Sequence, residues 1–124
     1  MTNKSPFTIA DSTQTGEEVA APNSGELEQR IKSLITSSDV FLFMKGNPQM
    51  PQCGFSANTV AILNALDVEF KTFDILSDMD IRQGVKEYSN WPTYPQLYYK
   101  GELLGGNDII TEMYHSGDLQ KSLS

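Results

Sequence analysis

With 124 residues and a net charge of −7, the chain has the length of one domain with an ordinary core. No basic stripe offsets the acidic balance, which argues against a nucleic-acid partner, and no apolar run approaches the length of a membrane span. The single cysteine excludes an internal disulfide framework and cannot build a metal site alone, which fits a compartment where thiols stay reduced.

Residues 1–24 are rich in Ser, Thr, Asn, Gly, Pro and Ala and lack periodicity, so they read as a disordered tail or linker. They carry Asp11, Glu17 and Glu18 and no arginine, so they are expected to be neither a signal peptide nor a transit peptide. Residues 25–124 form the expected domain. Ser24 suits an N-cap, and Leu27, Ile31, Leu34 and Ile35 make one helical stripe. Val40 to Met44 is a wholly apolar run and predicts a buried strand. Gly46 to Gln52 contains Pro48 and Pro51 and predicts a stiff loop. It delivers Cys53 to a helix expected from Gly54 to Leu66.

Val68 to Ile75 alternates like a strand. Asp78 to Tyr88 predicts a short helix with Ile81, Val85 and Tyr88 on one face. A proline-bearing loop from Ser89 to Pro95 follows. Gln96–Tyr99 and Glu102–Leu104 flank Lys100-Gly101, a tight hairpin turn. Gly105-Gly106-Asn107-Asp108 then opens a helix bearing Ile109, Ile110 and Met113, and a last turn follows the break at Ser116-Gly117. The order α-β-α-β-α-β-β-α predicts an α/β domain, a mixed four-stranded sheet flanked by helices.

Within this order Cys53 falls where a loop meets a helix N-terminus. Unpaired backbone N–H groups and the positive end of the helix dipole there favour thiolate over thiol. An inert, buried cysteine is the other reading of a lone thiol.

Met44-Lys45-Gly46, Cys53-Gly54-Phe55-Ser56, Trp91-Pro92-Thr93-Tyr94-Pro95-Gln96-Leu97 and Gly105-Gly106-Asn107-Asp108, in this order, resemble the monothiol glutaredoxins of the Cys-Gly-Phe-Ser class. The resemblance runs from about Gly25 to the C-terminus. It implies a thioredoxin-like fold, glutathione binding, and a [2Fe–2S] cluster held by a homodimer. Such a cluster normally takes four thiolates. With Cys53 as each chain's one metal ligand, two chains leave two positions, and one glutathione per subunit closes the count.

The resemblance also implies the glutathione contacts. Lys45 and Arg82 would meet the glycine carboxylate, and Lys86, four residues after Arg82, shares its helix face. Solvated surface charge is the alternative for all three. Thr93-Tyr94-Pro95 matches a cis-proline loop that pairs with the cysteinyl segment. Gly106 and Asn107 would offer backbone N–H groups to the γ-glutamyl carboxylate. Asp108 would accept from its ammonium, or simply cap the helix. Many relatives carry cysteine where this chain has Asn107. Phe55 would cover the thiol, or belong to the core. Ser56 stands where dithiol relatives carry the resolving cysteine, so no internal Cys-x-x-Cys disulfide forms. His115 reads as a solvated residue near a helix end.

The function expected from this is glutathione-dependent [2Fe–2S] binding and transfer to iron–sulfur client or carrier proteins. The alternative is a glutathione-dependent thiol–disulfide oxidoreductase with Cys53 as catalytic nucleophile, and whether the chain is an enzyme stays open. A thioredoxin-like module of a longer protein is a third reading. The expected location is cytoplasmic or nuclear, with a mitochondrial or plastid one open if a leader is removed.

Overall fold

A computed structural model describes residues 24–124, and the tail or linker expected before Ser24 lies outside the described residues. The elements are α1 (Ser24–Ile35), β1 (Val40–Met44), β2 (Gly46–Asn47), β3 (Met50–Pro51), α2 (Gly54–Ala65), β4 (Lys71–Asp74), α3 (Met79–Ser89), β5 (Gln96–Tyr99), β6 (Glu102–Gly105), α4 (Asn107–Ser116) and α5 (Asp118–Ser122). The main sheet has the order β4-β1-β5-β6. β1 runs parallel to β4, and its pairing with β5, like that of β5 with β6, is antiparallel. This is the mixed four-stranded sheet with flanking helices that the sequence order predicts.

β1 is central and buried along its whole length, which is why it reads as an unbroken apolar run. Its side chains alternate between two cores. Phe41 and Phe43 join Ile31, Ile35, Ile81, Val85, Tyr94 and Tyr98 on one face. Val40, Leu42 and Met44 join Val60, Leu63, Leu97, Ile110 and Leu119 on the other. Helices α1 and α3 therefore cover the first face, and α2, α4 and α5 the second. Phe43 meets Phe41, Phe73 and Tyr98 edge to face, with ring centroids 5.1, 6.2 and 5.7 Å away.

Two expectations are corrected. The Gly46–Gln52 segment is not a bare loop. It folds into the β2–β3 hairpin, whose turn is held by the Asn47 side chain accepting from the Gln49 and Met50 N–H groups at 3.0 and 2.9 Å. The strand expected over 68–75 is only Lys71–Asp74, because Asp67 is left-handed (φ 57) and the Val68 N–H still bonds to Leu63 at the end of α2. On the α3 face expected to carry Ile81, Val85 and Tyr88, Ile81 and Val85 are fully buried and Tyr88, at the helix's far end, is 38% exposed. The hairpin turn at Lys100-Gly101 forms as expected, both residues at positive φ. Among the described residues, no helix is long and apolar enough to cross a membrane.

Candidate functional site

Cys53 is the N-cap of α2, with extended backbone and a partly exposed side chain. The first turn of that helix carries no acidic residue, so no carboxylate of its own competes with the sulfur for its positive end. Sγ accepts from the Ser56 backbone N–H at 3.3 Å and lies 3.3 Å from Ser56 Oγ. Burial raises the thiol pKa. The Ser56 hydroxyl, the Ser56 and Phe55 backbone N–H groups and the Lys45 ammonium outweigh it, and the thiol sits below its ordinary value.

Lys45 follows the last residue of β1, and its charge acts on the sulfur. Its N–H donates to Ser56 Oγ at 3.1 Å, and its carbonyl accepts from the Gln52 N–H at 2.8 Å. The next residue, Gly46, needs its positive φ of 85°. A side chain there would also meet the Met50 carbonyl oxygen at 2.5 Å.

Beside the cysteine lies an open cleft of about 230 Å³, lined by Phe55, Trp91, Thr93, Tyr94, Gly106, Asn107, Asp108 and Ile109. Phe55, 63% exposed, is a cleft wall and no core aromatic. The Tyr94–Pro95 peptide is cis, as the resemblance implies. Tyr94 is buried and its hydroxyl donates to the Arg82 carbonyl at 2.6 Å, while burial pushes its pKa far up and keeps the phenol neutral. Pro95 backs the cleft, its carbonyl oxygen 3.3 Å from where a Gly106 side chain would begin. Gly106 is the N-cap of α4 and no side chain caps that helix, which removes the capping role from Asp108. The first-turn N–H groups of α4 therefore remain available at the cleft wall.

Arg82 and Lys86 stand on α3, outside the cleft wall. Their carbonyls receive the Tyr94 hydroxyl and the Trp91 N–H, so α3 carries the loop that forms one side of the cleft. Neither cation, nor Lys45, is ion-paired among the described residues. The pairs there are Arg30–Asp78 and Lys32–Glu28.

Three residues have side-chain roles beyond the sequence reading, which quotes Trp91 and Gln96 only within a motif and Asn107 only for its backbone N–H. Gln96 is fully buried, and its side-chain amide donates to the Trp91 and Thr93 carbonyls at 3.0 and 3.2 Å, fastening the cleft loop. Trp91 lines the cleft with a buried indole N–H that has no partner. Asn107 Oδ1 receives Asn58 Nδ2 at 2.9 Å and Thr59 Oγ1 at 3.2 Å, tying the start of α4 to the cysteine helix. Polar residues on helices carry no signal of such pairings until the helices are docked.

A family model described as Glutaredoxin matches residues 40–104, which spans β1, the cysteine, the cis-proline loop and the β5–β6 hairpin. The chain belongs to the glutaredoxin family. Its relatives place it among the monothiol glutaredoxins. It is 60% identical over 98 residues to monothiol glutaredoxin-S17 of Arabidopsis thaliana, covering 79% of this chain and 20% of that protein. It is 56% identical over 98 residues to an uncharacterized monothiol glutaredoxin, ycf64-like, of Synechocystis sp., covering 79% of this chain and 92% of the relative. Among solved structures, reduced poplar apo GrxS14 superposes with a TM-score of 0.70 at 50% identity, over 77% of this chain and 88% of that one. The thioredoxin-like glutaredoxin fold follows from these matches and from the sheet order. The chain thus spans a fifth of the plant relative and nearly all of the cyanobacterial one.

Proposed function

We propose that this glutaredoxin binds glutathione in the cleft and, as a pair of chains, carries a [2Fe–2S] cluster to client proteins. One observation carries the reading: a single partly exposed sulfur at a helix N-terminus, beside an open cleft, with Ser56 where a second thiol would stand. Among the described residues, no group of three or more His, Cys, Asp or Glu gathers to hold a metal. A four-thiolate cargo therefore needs Cys53 from two chains and a thiolate from each of two glutathiones.

The tripeptide carries two carboxylates and one ammonium. The uncapped start of α4 suits the γ-glutamyl carboxylate, and Asp108 suits the ammonium beside it. Thr93, Tyr94 and Pro95 border its middle. Lys45, and Arg82 with Lys86 from α3, supply the charge for the glycine carboxylate. The cleft, at about 230 Å³, lies a little below the roughly 300–1,000 Å³ usual for ligand clefts and cavities.

The test is anaerobic reconstitution with iron, sulfide and glutathione. The expected product is a dimer with cluster absorption that depends on glutathione and is lost in Cys53→Ser. A monomer without cluster absorption, or a cluster indifferent to glutathione, overturns the reading.

The lowered thiol pKa favours a second reading, a glutathione-dependent oxidoreductase. Rapid turnover of a small glutathione mixed disulfide by the apo protein would support it over the carrier.

A further inference from the structure

We propose that Tyr98, which does not line the cleft, is a positioning residue for it: its phenol holds the Gln96 side-chain amide in the orientation that grips the Trp91–Pro95 loop. This role rests on the cleft being the glutathione site, while the bonds that create it lie within the chain itself.

Successive side chains of a strand point to opposite faces, so Gln96 and Tyr98 of β5 share one face and Leu97 takes the other. Tyr98 lies in the first core, its ring edge to face with Phe43, and Leu97 lies in the second. Gln96 is thus a polar residue on a core face. Gln96 and Tyr98 are 0% and 1% exposed, so the bonds their polar atoms need must come from the protein. The Tyr98 hydroxyl donates to Gln96 Oε1 at 3.0 Å.

A glutamine amide has nearly the same shape either way round, with an oxygen that only accepts and a nitrogen that only donates. Its neighbours therefore decide which end faces which way. The Trp91 and Thr93 carbonyls can only accept, and they take Nε2 at 3.0 and 3.2 Å. Oε1 is left turned toward Tyr98, and the phenol supplies its donor. Burial, against a bond from the Ser89 side chain, pushes that phenol up to about 12, so it keeps its proton at any pH near neutral. Without the proton Gln96 has two poor choices. It keeps its grip and leaves a buried oxygen unpaired, or it turns from the carbonyls in search of a donor. Either way the loop is held less firmly.

The Tyr94 hydroxyl on the Arg82 carbonyl and the Trp91 N–H on the Lys86 carbonyl tie the loop to α3. Gln96 adds the tie to the sheet. It grips Trp91 and Thr93, two residues of the cleft wall, on either side of Pro92. Tyr98 stands behind that wall, so its influence on a guest must pass through Gln96.

The experiment is a calorimetric glutathione titration of wild type, Tyr98→Phe, Gln96→Leu and the double variant. Hydrogen exchange of the Gln96 side-chain amide, followed by NMR without glutathione, accompanies it. Tyr98→Phe keeps the ring and removes only the hydroxyl. It should weaken glutathione about fivefold, the worth of one hydrogen bond, and speed exchange of the Gln96 amide protons. In the Gln96→Leu background the same substitution should leave affinity unchanged, because the residue it acts through is gone. A phenol that merely fills the core would leave affinity equal in wild type and Tyr98→Phe, or cost the same in both backgrounds. Either result overturns the proposal. Should Gln96→Leu not fold, exchange decides, and Gln96 protons equally protected in wild type and Tyr98→Phe overturn it. A wild type that binds no glutathione sinks the glutathione reading, and exchange then decides the role of Tyr98 by itself.

Discussion

Burial and hydrogen bonding pull the Cys53 thiol in opposite directions, and hydrogen bonding prevails. The folded chain thus releases the thiol proton more readily than the unfolded chain. The thiolate contributes to stability fully above the unfolded pKa, and that contribution fades as pH falls through the folded one. Alkylation of native protein should therefore persist to lower pH than alkylation of protein in denaturant, and coinciding profiles would contradict the geometry. Asp78 follows the same sign. The Ile81 N–H is the largest influence holding its carboxyl below the usual range, with Arg30 and the Asp80 N–H adding to it, and burial opposes them. Asp78→Ala removes the cap of α3 and should cost about 1 kcal/mol, roughly 4–8 °C in Tm. The gap should close in acid, where wild-type Asp78 is itself protonated. Thermal melts at two pH values check it. At this scale the sequence announces Cys53 through its place between strand and helix. It gives Ser56 only as the residue in place of a resolving cysteine, because the backbone N–H that bonds to its hydroxyl belongs to Lys45, eleven residues earlier and across the loop.

The cleft is made by two elements brought together, and each has its own fastening. The Trp91–Pro95 loop hangs on Gln96, so Gln96→Leu would take the side-chain donor from two partly buried carbonyls and loosen it, at about 1–3 kcal/mol. The start of α4 is tied to α2 by Asn58, which also donates to Thr111 at 3.0 Å and does not line the cleft. Asn58→Ala should leave the fold intact and weaken glutathione binding several-fold in calorimetry, whereas unchanged affinity would show that α4 needs no tie. Element types were legible from periodicity, as the Leu27–Ile35 stripe and the apolar run of β1 show. Element ends were not. The alternation after Val68 looks like strand, yet Val68 and Phe70 pack against the core from irregular chain that follows α2, with the Val68 N–H still bonded to Leu63. Pro48 and Pro51 concealed the β2–β3 hairpin, since proline usually argues against a ladder.

Across the whole molecule, β1 divides its side chains between two cores, and Phe43 anchors the first. Phe43→Ala should cost about 3–5 kcal/mol, a large share of the roughly 5–15 kcal/mol that holds a domain together. Denaturant titration should show its midpoint falling sharply. The overall topology was open to reading because alternating helical and strand periods permit few right-handed arrangements. How the parts meet was not, because docking of α3's loop against α4 leaves no trace in either segment alone. That meeting has a consequence for the life of the chain. Tyr94 belongs to one core, while Cys53 and Gly106 sit on helices seated on the other. A molecule with only one layer closed has a sulfur but no bed for a guest. Under the proposed reading, a copy could therefore take a guest only once both layers are docked.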